Sequence, residues 1–213
     1  MNPTFPAAQS EGVIQFDLIY QAGPSPQASL VDELSLWRAL FHRLGLTGFD
    51  PLRYDGLAFG NFSRRMAGNA FVVSGTQTGK RPKLTPNDYC LVTGFNLAAN
   101  RIMATGPIRP SSEALTHAAM YSADRRIGWV FHVHAPEIWE NAQCLVIPAT
   151  PESVCYGTQA MAVAVQPLIH AAGTGVISMQ GHRDGLIAYG PTAEATATCL
   201  LRSLALALEL QNP

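Results

Sequence analysis

Two histidines separated by one residue, His132 and His134, end an apolar segment and could bind one metal ion. The residues before them, Trp129, Val130 and Phe131, predict a buried β-strand. Side chains two residues apart on a strand leave the same face, so both imidazoles can point into one site. Two histidines that are only hydrogen-bonded at the end of a sheet would give the same pattern.

A third histidine, His182, ends a second apolar strand and favours the metal site. With a nearby acid such as Glu113, three histidines are the ligands of a catalytic divalent-metal site with open positions for water or substrate. Asp184 either orients an imidazole or only makes a turn with the glycine after it. His117 and His170 are weaker ligand candidates, and His117 shares a helix face with Glu113, where we expect a packed histidine.

The segment before Glu113 predicts the start of a helix that could bind an anion. Pro110 precedes Ser111 and Ser112, which are both good N-cap residues. The amide groups of a first helical turn suit a phosphate or another anion. Glu113 would then lie in the first turn next to a bound ligand, although a favourable interaction with the helix dipole would also place an acid there.

Two glycine-rich segments, residues 59–63 and 74–80, could complete an anion site. Small residues let backbone amides approach a phosphate, and hydroxyl and carboxamide groups add donors. Neither segment matches a P-loop or a dinucleotide-binding fingerprint, and ordinary hairpin turns would look the same. The residues that could contact the anion are Gly60, Asn61, Thr76, Gln77, Thr78 and Gly79.

The elements that must position these residues predict an α/β domain with a mostly antiparallel central sheet covered by helices. Residues 1–27 form an N-terminal extension, and residues 28–213 form the domain. Helices are predicted at 28–44, 112–122, 158–172 and 192–210, with Pro167 kinking or dividing the third. Strands are predicted at 13–20, 58–66, 70–74, 89–93, 101–105, 129–134, 176–179 and 186–189.

Composition excludes several classes of function. The net charge is −1 and no long basic cluster occurs, so nucleic-acid binding has no electrostatic basis. No segment has the apolar length of a membrane span or the pattern of a secretory signal, and the four cysteines are scattered, so we expect a cytoplasmic protein with reduced thiols. The helix at 192–210 is apolar over much of its circumference, which predicts deep burial or a subunit contact.

Five motifs in this order resemble the class II aldolase/adducin family, over roughly residues 30 to 210. They are Gly-Asn-x-Ser at 60–63, the Ser/Thr-Gly loop at 74–79, Ser-Ser-Glu at 111–113, His-x-His at 132–134 and the late His182. The resemblance implies a three-layer fold, a Zn²⁺ or other divalent ion and Glu113 as the acid/base. It implies that the metal ligands are His132, His134 and His182, and that a substrate phosphate is held by Gly60, Asn61, Thr76, Gln77, Thr78, Gly79, Ser111 and Ser112.

The expected function is that of a zinc-dependent aldolase, a lyase that acts on a sugar or sugar phosphate through an enediolate, in a homotetramer. A glutamate at 113 is more similar to the aldolases than to the epimerases of the family. A sugar-phosphate epimerase or dehydratase, or a non-catalytic adducin-like interaction module, remains as an alternative. Two departures stand out, because Arg183 and Asp184 separate His182 from the glycine that usually follows, and the loop at 75–79 is one residue longer than expected.

Overall fold

An eight-stranded sheet forms the centre of the chain and helices cover both of its faces, which confirms the predicted three-layer α/β fold. The computed structural model describes residues 13–211. The strands are β1 (Asp17–Ala22), β2 (Gly48–Phe49), β3 (Ala58–Phe59), β4 (Asn61–Arg65), β5 (Phe71–Ser74), β6 (Tyr89–Asn96), β7 (Arg101–Gly106), β8 (Trp129–His134), β9 (Gly175–Ser178) and β10 (Gly185–Gly190). The helices are α1 (Ala28–Arg43), α2 (Ala114–Ala123), α3 (Pro136–Glu140), α4 (Gln159–Val165) and α5 (Ala193–Gln211).

The sheet has the strand order β1-β7-β6-β5-β4-β8-β10-β9. The pair β1–β7 is parallel and the other pairs are antiparallel, as the mostly antiparallel prediction required. β2 and β3 form a separate two-stranded ribbon. This order places β8 between β4 and β10, so the strand with the two histidines is central.

The core divides into two hydrophobic clusters, one on each face of the sheet. One cluster contains residues of α2 and α4, and the other contains residues of α1, α3 and α5. Along β8, Val130 belongs to the first cluster, whereas Phe131 and Val133 belong to the second. Because side chains alternate along a strand, His132 and His134 share the face of Val130, which is covered by α2.

Several predicted boundaries shift for identifiable reasons. The predicted strand 58–66 is broken at Gly60, whose φ is +80° and whose position would bring a Cβ within 2.5 Å of Thr47. The predicted helix 158–172 is too long, because α4 ends at Val165 and a 3₁₀ turn containing Pro167 follows. The predicted strand 13–20 begins only at Asp17.

The predicted N-terminal extension is described in part. Residues 1–12 lie outside the described residues, whereas residues 17–22 add a strand to the edge of the sheet. Between residues 13 and 211, no helix combines the length and the apolarity that a membrane crossing requires.

Candidate active site

Three histidines converge at the end of β8. His132 and His134 place their Nε2 atoms 3.2 Å apart, and ligand nitrogens of these two residues and His182 all lie within 4.8 Å of one another. All three residues are buried. Tetrahedral zinc with Zn–N bonds of about 2.0–2.1 Å separates its ligand nitrogens by about 3.3 Å, which the separation of the His132 and His134 nitrogens matches. The three imidazoles are the type of donor that zinc binds, and they lie close enough together to hold such an ion.

The orientation of His132 is fixed by a backbone carbonyl of the neighbouring strand. Its Nδ1 lies 3.0 Å from the carbonyl oxygen of Leu186 in β10, and since a carbonyl can only accept, Nδ1 donates. The proton on Nδ1 leaves Nε2 with the lone pair that a metal ion requires.

His182 reaches the cluster from a turn and not from the end of a strand. It lies four residues beyond the end of β9, where its N–H donates to the carbonyl of Met179 and its carbonyl accepts from Gly185, both at 2.9 Å. Its ring stacks on Tyr156 with 4.4 Å between centroids and an interplanar angle of 28°.

Asp184, one of the two residues that separate His182 from Gly185, has a structural role of its own. Asp184 adopts φ +64°, and its buried carboxylate accepts hydrogen bonds from Arg53 at 2.5 Å and from the hydroxyl of Tyr54 at 2.7 Å. The Tyr54 ring packs with its edge against His134, with 4.4 Å between centroids. Asp184 thus makes the predicted turn and also supports an imidazole through Tyr54.

Glu113 is the N-cap of α2 and not a first-turn residue, because the helix begins at Ala114. Its carboxyl is buried, and the hydroxyl of Thr116 donates to its Oε2 at 2.8 Å. Its N–H lies 3.3 Å from the Oγ of Ser111. These contacts hold the carboxylate in a defined orientation.

A cleft brings Glu113 and two histidines of the cluster, His132 and His182, together with the glycine-rich segments. Asn61 pairs with His132 in adjacent strands, and the N–H of Ser111 donates to the carbonyl of Ser74, which explains how four distant segments meet. His134 lies beside His132 and does not line the cleft. The lining residues are Ala58, Gly60, Asn61, Gly75, Thr76, Gln77, Thr78, Gly79, Ser111, Ser112, Glu113, His132, Tyr156 and His182.

In the loop at 75–79, two side chains that we expected to contact an anion brace the loop. The carboxamide oxygen of Gln77 accepts from the N–H of Ala58 at 3.1 Å, and the hydroxyl of Thr78 donates to the carbonyl of Gly75 at 2.9 Å. These bonds occupy the carboxamide oxygen of Gln77 and the hydroxyl hydrogen of Thr78. Asn61 differs, because its buried Oδ1 has no hydrogen-bond partner among residues 13–211.

The sequence motifs do not indicate Tyr156 or the residues that hold it in place. Besides stacking on His182, Tyr156 accepts a hydrogen bond at its carbonyl from the side chain of Gln15, at 3.1 Å. Asn100 in turn donates to the carbonyl of Gln15 at 3.0 Å. No motif indicates these contacts, just as none indicates Arg53 or Tyr54, because each depends on residues far apart in the chain.

His117 lies outside the three-histidine cluster. It is fully buried on α2, and its Nδ1 lies 2.6 Å from the hydroxyl of Ser63, which also bonds to the hydroxyl of Tyr121 at 2.7 Å. Burial lowers the pKa of His117 from 6.5 to about 3, so the imidazole is neutral at pH 7. His170 is exposed and also lies outside the cluster.

Comparison with known proteins agrees with this architecture. The model of the class II aldolase and adducin N-terminal domain matches residues 48–206. A solved L-fuculose 1-phosphate aldolase is 15% identical and superimposes with a TM-score of 0.65, over 87% of this chain and 86% of that one. The L-fuculose-1-phosphate aldolase of Thermus thermophilus is 19% identical, with a TM-score of 0.56 over 85% and 89% of the two chains.

A sugar-phosphate aldolase of Thermotoga maritima is 14% identical and has a TM-score of 0.63, over 87% of this chain and 97% of that one. A search of curated protein sequences finds no match. At these identities the solved structures establish the fold, whereas the match to the family model covers most of the chain. The chain belongs to the class II aldolase and adducin N-terminal domain family.

Proposed function

We propose that this chain is a zinc-dependent aldolase that acts on a sugar or a sugar phosphate, with Glu113 as its acid/base. The observation that supports it is the presence of a buried carboxyl, Glu113, and a three-histidine cluster at one cleft. His132, His134 and His182 would hold the metal. When bound, a divalent ion supplies Lewis acidity, which stabilises negative charge on oxygen atoms of the substrate.

The residues of the chain account for proton transfer and for substrate orientation. In cleavage, the hydroxyl group on the carbon that becomes the aldehyde gives its proton to water as the bond from that carbon to the carbon next to the carbonyl breaks. The electron pair of this C–C bond yields an enediolate, and the aldehyde leaves. Glu113, as the carboxylic acid, donates a proton to the enediolate carbon, and in synthesis its carboxylate removes that proton. The hydrogen bond from Thr116 holds the carboxyl during both steps.

The polar segments of the cleft would hold the other end of the substrate. Gly60 and Asn61, the loop at 76–79 and the serines at 111 and 112 all line the cleft with Glu113. The buried Oδ1 of Asn61 accepts a hydrogen bond from a substrate hydroxyl in this arrangement, because it has no acceptor role within the described residues. The L-fuculose 1-phosphate aldolases to which this chain is similar make that ketose phosphate the first substrate to test.

The test compares wild type with Glu113→Gln after zinc loading. Release of aldehyde is measured from L-fuculose 1-phosphate and a panel of other ketose 1-phosphates, each with its unphosphorylated ketose. We expect the Gln variant to keep zinc and fold while turnover falls by about 10² to 10⁴, the usual contribution of a positioned proton donor. Full activity of the variant on any accepted substrate would remove Glu113 from the mechanism.

Metal content separates an enzyme from an interaction module. An adducin-like module has no need of three converging imidazoles, so a protein that neither contains nor takes up a divalent ion would favour the module. A retained ion without aldehyde release on any ketose would favour epimerase or dehydratase chemistry, which the same panel detects as a changed sugar.

We also propose a homo-oligomer, most simply a tetramer, in the cytoplasm. Leu206, Leu208 and Leu210 near the end of α5 are between 43% and 48% exposed, although Leu200 on the same helix is buried. A subunit contact would cover these apolar side chains. A monomer mass from light scattering at micromolar concentration would contradict this.

A further inference from the structure

Arg38 is a buried cation beneath the loop at 75–81, and the proposed mechanism does not use it. It projects from the apolar face of α1, which also carries Val31, Leu34 and Phe41, and only 2% of it is exposed. A charged side chain among such neighbours is costly unless the surroundings compensate the charge. The burial of this charge therefore requires compensation from the groups around it.

The partners of Arg38 are carbonyl groups of the loop. Its Nη2 donates to the carbonyl of Gly79 at 2.9 Å and to that of Thr78 at 3.3 Å, and its Nη1 donates to the carbonyl of Arg81. Between residues 13 and 211, no carboxylate forms an ion pair with Arg38. The buried Asp88 pairs with Arg81 instead. Carbonyl dipoles satisfy the N–H groups but do not cancel the charge.

The guanidinium stays charged despite its burial. Desolvation lowers the pKa of Arg38 from 12.5 to about 10, which still leaves it protonated at neutral pH. The phenol of Tyr89 contributes no counter-charge at that pH, because burial raises its pKa to about 12. A positive charge thus lies beneath the loop without a negative partner in the described part of the chain.

The loop is one layer of backbone between Arg38 and the cleft. Thr78 and Gly79 line the cleft and also present their carbonyls to Arg38. In a trans peptide the N–H points opposite to the C=O, so these contacts turn the N–H groups of Gly79 and Lys80 away from Arg38. Gly79 makes the thin layer possible, since a Cβ there would lie 2.2 Å from the carbonyl oxygen of Gly48.

We propose that Arg38 is a positioning residue for a phosphate group in the cleft, because it orients the loop peptides and supplies the charge that the dianion balances. The inference rests on the proposed function and concerns how the chain holds the phosphate end of a sugar phosphate. Attraction through one backbone layer is strong because few water molecules separate the charges.

The test measures binding of inorganic phosphate, glycerol 1-phosphate and glycerol by calorimetry, on zinc-loaded and on metal-depleted protein. The variants are Arg38→Gln, which removes the charge, and Arg38→Lys, which keeps it but loses the fork of donors. Arg43→Gln is the matched control, because Arg43 is an exposed cation on the same helix. Thermal unfolding and zinc content are recorded for every variant.

We expect Arg38→Gln to weaken both phosphates by about tenfold or more, the effect of a unit charge at short range in a partly buried site, and Arg38→Lys to weaken them less. Glycerol binding and zinc content should not change in the Arg38 variants. Arg43→Gln should bind both phosphates as the wild type does. A purely structural Arg38 predicts equal losses for Gln and Lys, and that result would overturn the proposal. So would the absence of phosphate binding to the wild type, or phosphate affinity that Arg38→Gln leaves unchanged.

If Arg38→Gln does not fold, the position at which the wild type binds phosphate tests the proposal instead. A crystal of the wild type soaked in inorganic phosphate should show the ion against the backbone of Thr78 and Gly79, and an ion bound elsewhere refutes the inference. Failure of the proposed function is separable, because phosphate binding without aldehyde release on any ketose would leave the role of Arg38 intact. Aldehyde release from unphosphorylated ketoses without phosphate binding would refute only Arg38.

Discussion

His117 should make the stability of this protein fall in mild acid. Its imidazole is fully buried, and burial lowers its pKa in the folded state to about 3, compared with 6.5 for an exposed histidine. The unfolded chain therefore binds this proton more readily, so the free energy of unfolding decreases as pH falls from about 6.5 toward 3. Above pH 6.5 the residue has little effect, because both states are then neutral.

The size of the effect follows from the two pKa values. At pH 5 the unfolded state gains about 2 kcal/mol from protonating this one side chain, compared with pH 7. His117→Asn is the matching change, because the carboxamide can keep the short hydrogen bond to Ser63. It should therefore remove the pH dependence while leaving much of the packing intact.

Urea denaturation at pH 7, 6 and 5 on metal-depleted wild type and His117→Asn isolates this contribution. Titration of the other histidines and of the acids is common to both proteins and cancels in the difference. The wild type should lose about 2 kcal/mol more than the variant between pH 7 and pH 5. His170→Asn, at an exposed position, should behave like the wild type. Parallel curves for wild type and His117→Asn would refute the reasoning.

Three further changes test the site and its supports. His182→Ala should lower zinc affinity by orders of magnitude in a chelator competition while the fold survives, and wild-type affinity would move the third ligand elsewhere. Asp184→Ala should cost about 2 kcal/mol in urea denaturation, because it breaks two partly buried hydrogen bonds of a buried carboxylate. Arg183→Ala, at a side chain that is 82% exposed, should cost less than about 0.5 kcal/mol, and equal costs would contradict this. Gly79→Ala should displace the loop and cost about 1–3 kcal/mol in thermal unfolding, because its Cβ would overlap the carbonyl of Gly48, so a variant as stable as wild type would show that the loop is not confined.

Local sequence patterns predicted the helices and strands well where the spacing of residue types determined the element. The alternation in β8 put His132 and His134 on one face, and the helical spacing after Ala28 gave α1 to within one residue. The predicted boundaries were wrong where a tertiary contact determined the end of an element. The closeness of Gly60 to Thr47 divides one strand in two, and no residue near Gly60 in the sequence reveals that contact.

The candidate site shows the same difference between local patterns and tertiary contacts. Its polar residues could be predicted because their types and spacing have a chemical meaning. Their supports could not, since Arg53 and Tyr54 bond to Asp184 across about 130 residues, and Arg38 reaches the loop from a helix whose pattern predicts only amphipathic packing. Side-chain to backbone contacts of this kind leave no periodicity in a sequence.

The contact between Gln15 and Tyr156 links the edge of the sheet to the cleft. β1 pairs on one side only and most of its residues are exposed, so it opens by local unfolding at a lower free energy than the central strands. Each opening that carries Gln15 away also releases the backbone of Tyr156, whose ring stacks on His182. Amide exchange in residues 17–22 should therefore slow when a ligand immobilises Tyr156. A segment outside the matched domain thus shares its fluctuations with the cleft, and its dynamics become a measure of whether the cleft is filled.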